Sequence, residues 1–260
     1  MGRVQVRLLR TEAFSGAPRG APQDAWDAAE VGEGLERFLI QKLHALLPKE
    51  TPEEAEEDMF LDRKMRCLAW LEPEHLEISP LGVSDAQEGS NGGSSPSPAS
   101  RAADAAGEGA PKILGGDVLP VPELQLAGLE FVRIDRVRAP RDKLRLILSG
   151  CRMLMAALER RQRAAATADD LLPLLIYTVI KARPPRLHSN IQFVAAYRHP
   201  ARMHGEEAYF FTHFCSAAAF IKSVGSSGIQ LHMDRAEYER RFAEAEEALR
   251  QEEAAAVPPI

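Results

Sequence analysis

Two adjacent carboxylates, Asp169 and Asp170, stand directly before an apolar run from Leu171 to Ile180 that contains Pro173. Proline lacks an N–H and clashes in a helix interior, so Pro173 is expected in the first turn, with the helix beginning close to Asp169 or Asp170. One carboxylate can then cap the helix, which stabilises it by about 1 kcal/mol. Two exceed what capping needs. The other is left at the rim of an apolar core, facing outward from a rigid helix end. The two do not form a hydrolytic pair, because neighbours on a helix diverge by about 100° and cannot converge on one reacting atom.

A second candidate is a stripe further along. Tyr209, Thr212 and Ser216 fall at i, i+3 and i+7, on a helix face distinct from the one presenting Phe210, Phe214 and Ile221. A polar stripe is ordinarily the solvated side of a helix. Here it holds tyrosine and threonine instead of Lys and Glu, which fits a surface that meets a partner. The seven histidines, with His199 and His204 in or beside a loop, have no matching Cys or carboxylate set at ligand spacing, so no metal is expected. Cys67, Cys151 and Cys215 are odd in number and too far apart for a CxxC motif, and read as reduced core residues. The segment Arg183-Pro184-Pro185-Arg186 can mimic a proline-rich ligand, but between two apolar helices it reads as their turn.

The elements that must position these residues are helical throughout. Val31, Leu35, Phe38, Leu39, Leu43 and Leu46 recur at helical spacing from about Trp26 until Pro48. Thr51, Pro52 and Glu54 supply an N-cap, a first-turn proline and a capping box for a helix expected to reach Leu71. Residues 83–112 are too rich in Gly, Ser, Ala and Pro to bury a core and read as a disordered insertion, with order resuming around Val118. From Arg141, the set Leu144, Ile147, Cys151, Leu154, Met155 and Leu158 makes an amphipathic helix. The run 171–180, apolar on nearly every side, implies a helix buried at the centre. Ser189 is expected to cap a helix carrying Ile191, Val194 and Tyr197. Another runs from about Glu206 to Lys222, and Asp234 with Glu237 suggests a capping box for a last helix bearing Tyr238, Phe242, Ala245 and Leu249.

The expected fold is therefore all-α, a layered helical bundle. The expected organisation is a disordered N-terminus over 1–24, an N-terminal helical layer over 25–80 and a disordered insertion over 81–117. A functional helical domain follows over 118–250 (core 139–245), then a flexible tail over 251–260. At 260 residues and 45% apolar composition the chain suits one domain with appendages. Its net charge of −6 gives no long-range attraction for nucleic acid or an anionic membrane. Without an apolar run of signal-peptide or membrane-spanning length, the protein is expected to be soluble and intracellular.

Residues 169–197, DDLLPLLIYTVIKARPPRLHSNIQFVAAY, with Gly205-Glu206 and Tyr209-Phe210-Phe211-Thr212, resemble the Vps-nine domain of exchange factors for Rab-five-class GTPases. The likeness extends upstream through Ala139 to Leu144 and through Leu71 to Leu76, in a pattern like that of plant-type members. The resemblance implies a guanine-nucleotide exchange factor that needs no cofactor and does no covalent chemistry. Its partner would be a Rab-five-class GTPase, bound preferentially in the GDP or nucleotide-free form, with peripheral recruitment to early endosomes and no membrane insertion. It further implies that Asp169 is an acidic finger entering the nucleotide site, where it engages the phosphate-binding-loop lysine and disfavours magnesium and phosphate. Tyr209 and Thr212 match residues gripping the switch region, with Ser216 continuing their stripe. Pro173 matches the proline behind the finger, and Asn190 the asparagine of an HSN segment that supports the site. His213 and the segment Gly225 to Gly228 depart from the family pattern. A non-catalytic helical module docking on a GTPase or another trafficking partner is the competing reading.

Overall fold

The computed structural model describes residues 28–47, 51–78, 122–162, 166–226 and 231–255. The expected disordered terminus and insertion lie outside them. Among the described residues every regular element is helical, as the periodicities required: α1 (Ala28–Leu43), α2 (Pro52–Cys67), α3 (Pro122–Arg133), α4 (Pro140–Gln162), α5 (Ala168–Ala182), α6 (Leu187–Tyr197), α7 (Gly205–Ser223) and α8 (Arg235–Ala255). Short 3-10 turns occupy Pro73–Leu76, Ile134–Arg136 and Pro200–Arg202.

Helix α5 is the hub. Leu171 and every residue from Leu174 to Ala182 are buried, and α3, α4 and α7 pack around it. Helix α7 turns Phe210, Phe214, Ala217, Ala218 and Ile221 inward, as their spacing required. Helix α3 is an element the periodicity reading did not resolve. Its buried Leu124, Ala127, Gly128 and Phe131 sit at i, i+3, i+4 and i+7. The Phe131 ring lies 5.2 Å from that of Phe214 and presses on the α4 backbone at Gly150. A Cβ there would come within 2.4 Å of Phe131 Cε1, so glycine is what allows α3 and α4 to meet.

The N-terminal layer attaches in two ways. Helix α2 starts with the expected capping box, Thr51 Oγ1 accepting from Glu54 N and Glu54 Oε2 from Thr51 N. It stops at Cys67 rather than Leu71: Leu68 N, Ala69 N and Leu71 N bond the carbonyls three residues back, so the chain tightens into turns before the extended Glu72 that precedes Pro73. Its Asp58 carboxylate accepts from His188 N (2.6 Å), Ser189 N (3.2 Å) and Ser189 Oγ. The cap of α6 thus comes from another helix, and Ser189, expected to be the cap, is a third-position residue that donates. At the far end Arg63 and Arg66 of α2 face Glu246, Glu252 and Glu253 of α8. Helix α8, started by Asp234 Oδ2 accepting from Ala236 N and Glu237 N, continues to Ala255, past the boundary expected at residue 250.

Helix α1 docks by charge. Its Glu33 and Glu36 meet Arg198, whose side chain is 2% exposed, at 2.6 and 2.9 Å, and Glu36 also meets Arg202 at 2.8 Å. Phe38 and Leu46, expected on its apolar face, remain exposed at 55% and 80%. Burial works against the Arg198 charge, and Glu33 and Glu36 outweigh it, so its pKa is raised.

Candidate functional site

The start of α5 differs from the proline argument. The N-cap is Thr167: its Oγ1 accepts from Asp170 N, and Asp170 Oδ2 accepts from Thr167 N at 2.9 Å and Thr167 Oγ1 at 2.6 Å. The helix therefore begins at Ala168, and Pro173 lies in the second turn, not the first. The reciprocal Thr167–Asp170 bonds fix this start, and Pro173 costs the helix the bond its missing N–H would give to the carbonyl of Asp169. That carbonyl belongs to an exposed residue in the first turn, where solvent can replace the lost donor.

Capping is accordingly the work of Thr167 and Asp170, and Asp169 is spared it. Asp169 is exposed, and its carboxylate makes no hydrogen bond or ion pair among the described residues. Pro173 is half-buried behind it.

Helix α7 packs against α5 and α4 and carries the stripe outward. Tyr209 is 44% exposed, its ring held edge-on between His213 (4.5 Å) and Phe210 (5.1 Å). Thr212 is exposed, its Oγ1 donating back to Ala208 O at 3.0 Å, and Ser216 is exposed a turn later. Glu206 pairs with Arg152 of α4 and fixes the start of α7. Asp169, Tyr209 and Thr212 thus occupy the N-terminal halves of two helices packed on each other.

Asn190 lies elsewhere. It is 7% exposed and bonded to the turn that follows α5, past the end of that helix opposite to Asp169. Its Oδ1 accepts from Lys143 Nζ at 2.6 Å, and its Nδ2 donates to Asp135 Oδ1, Pro185 O and Arg186 O. The amide is used entirely inside the protein, tying α4, the 134–138 segment and the turn before α6 together.

Residues that sequence reasoning missed are Thr167, whose Thr-x-x-Asp spacing with Asp170 was the available signal, and His213, whose contact with Tyr209 follows from their i, i+4 spacing. Among the described residues no group of His, Cys, Asp and Glu is arranged to hold a metal, and no helix is long and apolar enough to cross a membrane.

Residues 124–226, from within α3 to just past α7, match the family model of the vacuolar sorting protein 9 (VPS9) domain. The chain is 31% identical over 231 residues to vacuolar protein sorting-associated protein 9A of Arabidopsis thaliana, covering 87% of this chain and 37% of that protein. It is 30% identical to the protein of the same name in Oryza sativa, covering 88% and 41%. To the human Rab5 GDP/GTP exchange factor it is 26% identical over 208 residues, covering 79% and 35%. The chain thus spans well under half the length of these relatives.

Proposed function

From the membership of this chain in the VPS9 domain family, we infer that it is a guanine-nucleotide exchange factor for a Rab-five-class small GTPase in endosomal or vacuolar trafficking. The observation that carries this reading is Asp169, an exposed carboxylate on a rigid helix end whose capping is done by its neighbours.

A GTPase that holds nucleotide with nanomolar to picomolar affinity has roughly 12–16 kcal/mol of binding energy to be countered. No bond need be made or broken. A carboxylate placed beside the phosphate-binding loop pairs with the lysine that otherwise holds the phosphates, and repels both phosphate and the ligands of magnesium. Tyr209, Thr212 and Ser216 offer an aromatic and two hydroxyls on one face of α7, suited to holding the switch segment away from the metal. Pro173 shapes the helix behind Asp169, and Asn190 supports the site from within the fold. Linkage makes the effect reciprocal: the factor binds the nucleotide-free GTPase best, and incoming GTP with magnesium expels it. Action at early endosomes would then need only peripheral recruitment.

The test is release of a fluorescent GDP analogue from Rab-five-class GTPases, with excess GTP and magnesium, by wild type and Asp169→Asn. Loss of a charged contact worth about 3 kcal/mol should slow exchange roughly a hundredfold or more while the melting temperature stays put. A folded wild-type protein that accelerates none of these GTPases would instead support the non-catalytic docking module.

A further inference from the structure

The turn Arg183-Pro184-Pro185-Arg186 and the segment Asp135 to Arg138 are not used by the proposed exchange chemistry, yet they meet around a cavity of about 610 Å³. Its walls come from the turn after α1, the start of α2, the 135–138 segment, Lys143 of α4, and α6 with the arginine that precedes it. None comes from α5 or α7; Asn190, buried in the wall, is the one residue shared with those named above, so the cavity is separate from the face that carries Asp169, Tyr209 and Thr212.

The charge within it is lopsided. Lys143 and Arg186 stand at its wall, Arg136 and Arg138 at the 135–138 edge, and His44 across from them. Asp135 is committed to Arg186 at 2.7 Å and to the Asn190 amide, while Glu54 is committed to the α2 cap. Arg136 and Arg138 are exposed and make no hydrogen bond or ion pair among the described residues. The ammonium of Lys143, 5% exposed, spends two N–H bonds on Ile134 O and Asn190 Oδ1 and lies 5.4 Å from the centre of the Phe193 ring, so cation and aromatic wall are contiguous. Burial lowers the pKa of His44, and Arg138, Lys143 and Arg186 lower it further, with no acid acting in the other direction. A positive pocket therefore persists inside a chain whose net charge is −6.

The remaining wall is aromatic. Phe193 and Tyr197 lie with ring centroids 4.7 Å apart, and the Tyr197 hydroxyl has no hydrogen-bond partner among the described residues. Left-handed backbone at Arg183 and Arg186, with two prolines between, makes the turn stiff, so Arg186 is presented with little entropy left to lose. Planar guanidinium forks beside an ammonium suit phosphate oxygens, and a cavity of this size suits a small ligand.

We propose that this cavity binds a compact anion carrying two or more phosphates, presented either on a phosphoinositide lipid headgroup or free as an inositol phosphate. The cations take the phosphates, and the Phe193–Tyr197 wall takes the C–H face of the carrying ring.

The test is calorimetric titration of the whole chain with inositol trisphosphate, together with flotation on phosphatidylcholine vesicles containing either phosphatidylinositol phosphate or phosphatidylserine. The variant is Arg136→Ala with Arg138→Ala, both exposed positions outside the exchange face. Saturable binding of inositol trisphosphate is expected, weakened roughly tenfold or more in the variant, with unchanged melting temperature and exchange rate. Flotation on phosphatidylinositol phosphate vesicles that free inositol trisphosphate abolishes identifies the lipid source, and soluble binding without flotation identifies the free ligand. Absence of binding to either probe, or equal binding by the variant, overturns the proposal. So does flotation that is as strong on phosphatidylserine and indifferent to the soluble competitor, since that is general charge attraction.

Discussion

Lys143 shows how a single side chain records its surroundings. Burial pushes its ammonium down to about 8, with Asp135 pulling upward and Arg186 pushing downward. In the unfolded chain a lysine titrates at about 10.4, so on raising the pH the folded protein gives up this proton first. Between about 8 and 10.4 the unfolded state holds more protons, and the contribution of this group to stability rises with pH across that window. Nitrogen-detected NMR of the lysine ammonium groups should show Lys143 titrating near the bottom of it; titration alongside the surface lysines would mean that water reaches the cavity floor freely. Asp169 was legible as a candidate because Asp-Asp before an apolar run exceeds what capping requires. Which aspartate was spare was not legible from the proline rule alone. Thr167 settles it, since the reciprocal bonds with Asp170 outrank the position preferred by Pro173.

At the scale of elements, helices with a dense one-sided pattern were read from the sequence nearly as they are: α4, α5 and α7 carry their expected residues inward. Helix α3 has the same pattern, but Gly128 and Ala127 weaken its hydrophobic signal, and what completes its face is the bare backbone at Gly150. Helix α1 had the pattern and does not use it as periodicity implies. The side chains that dock it are Glu33 and Glu36, chosen by Arg198 and Arg202 far along the chain. Caps supplied between helices are equally hidden, because Asp58 and Ser189 are 131 residues apart. Asp58→Ala strands the amides of His188 and Ser189, and it is expected to cost about 1–3 kcal/mol in urea unfolding. The loss of hydrogen-exchange protection should centre on the first turn of α6, and an unchanged urea midpoint would show that water replaces the carboxylate without penalty.

For the whole molecule, the two attachments of the N-terminal layer differ in kind. Helix α2 contributes Leu61, Met65 and Cys67 to the buried interior, whereas α1 is held by a compact group of charges that leaves Phe38, Leu43 and Leu46 in solvent. Removing one member of a buried ion group leaves an uncompensated charge, at a cost of about 3–5 kcal/mol. For Glu36→Ala the expected response is that α1 lets go, seen as lost hydrogen-exchange protection over 28–43 with α4, α5 and α7 unchanged. A fall in melting temperature with no local loss would mean that α1 unfolds only with the rest. The α2–α8 contact also fixes an order of events during synthesis. Arg66 and Glu252 are 186 residues apart, so at about 5–20 residues per second α2 is made about 9–37 seconds before its partner on α8. For most of that interval Leu61, Met65, Leu68 and Leu71 have no finished surface to cover them. These side chains therefore stay open until α5, α6 and α7 have been made and can pack on α2, and the described fold is complete only when α8 closes over it.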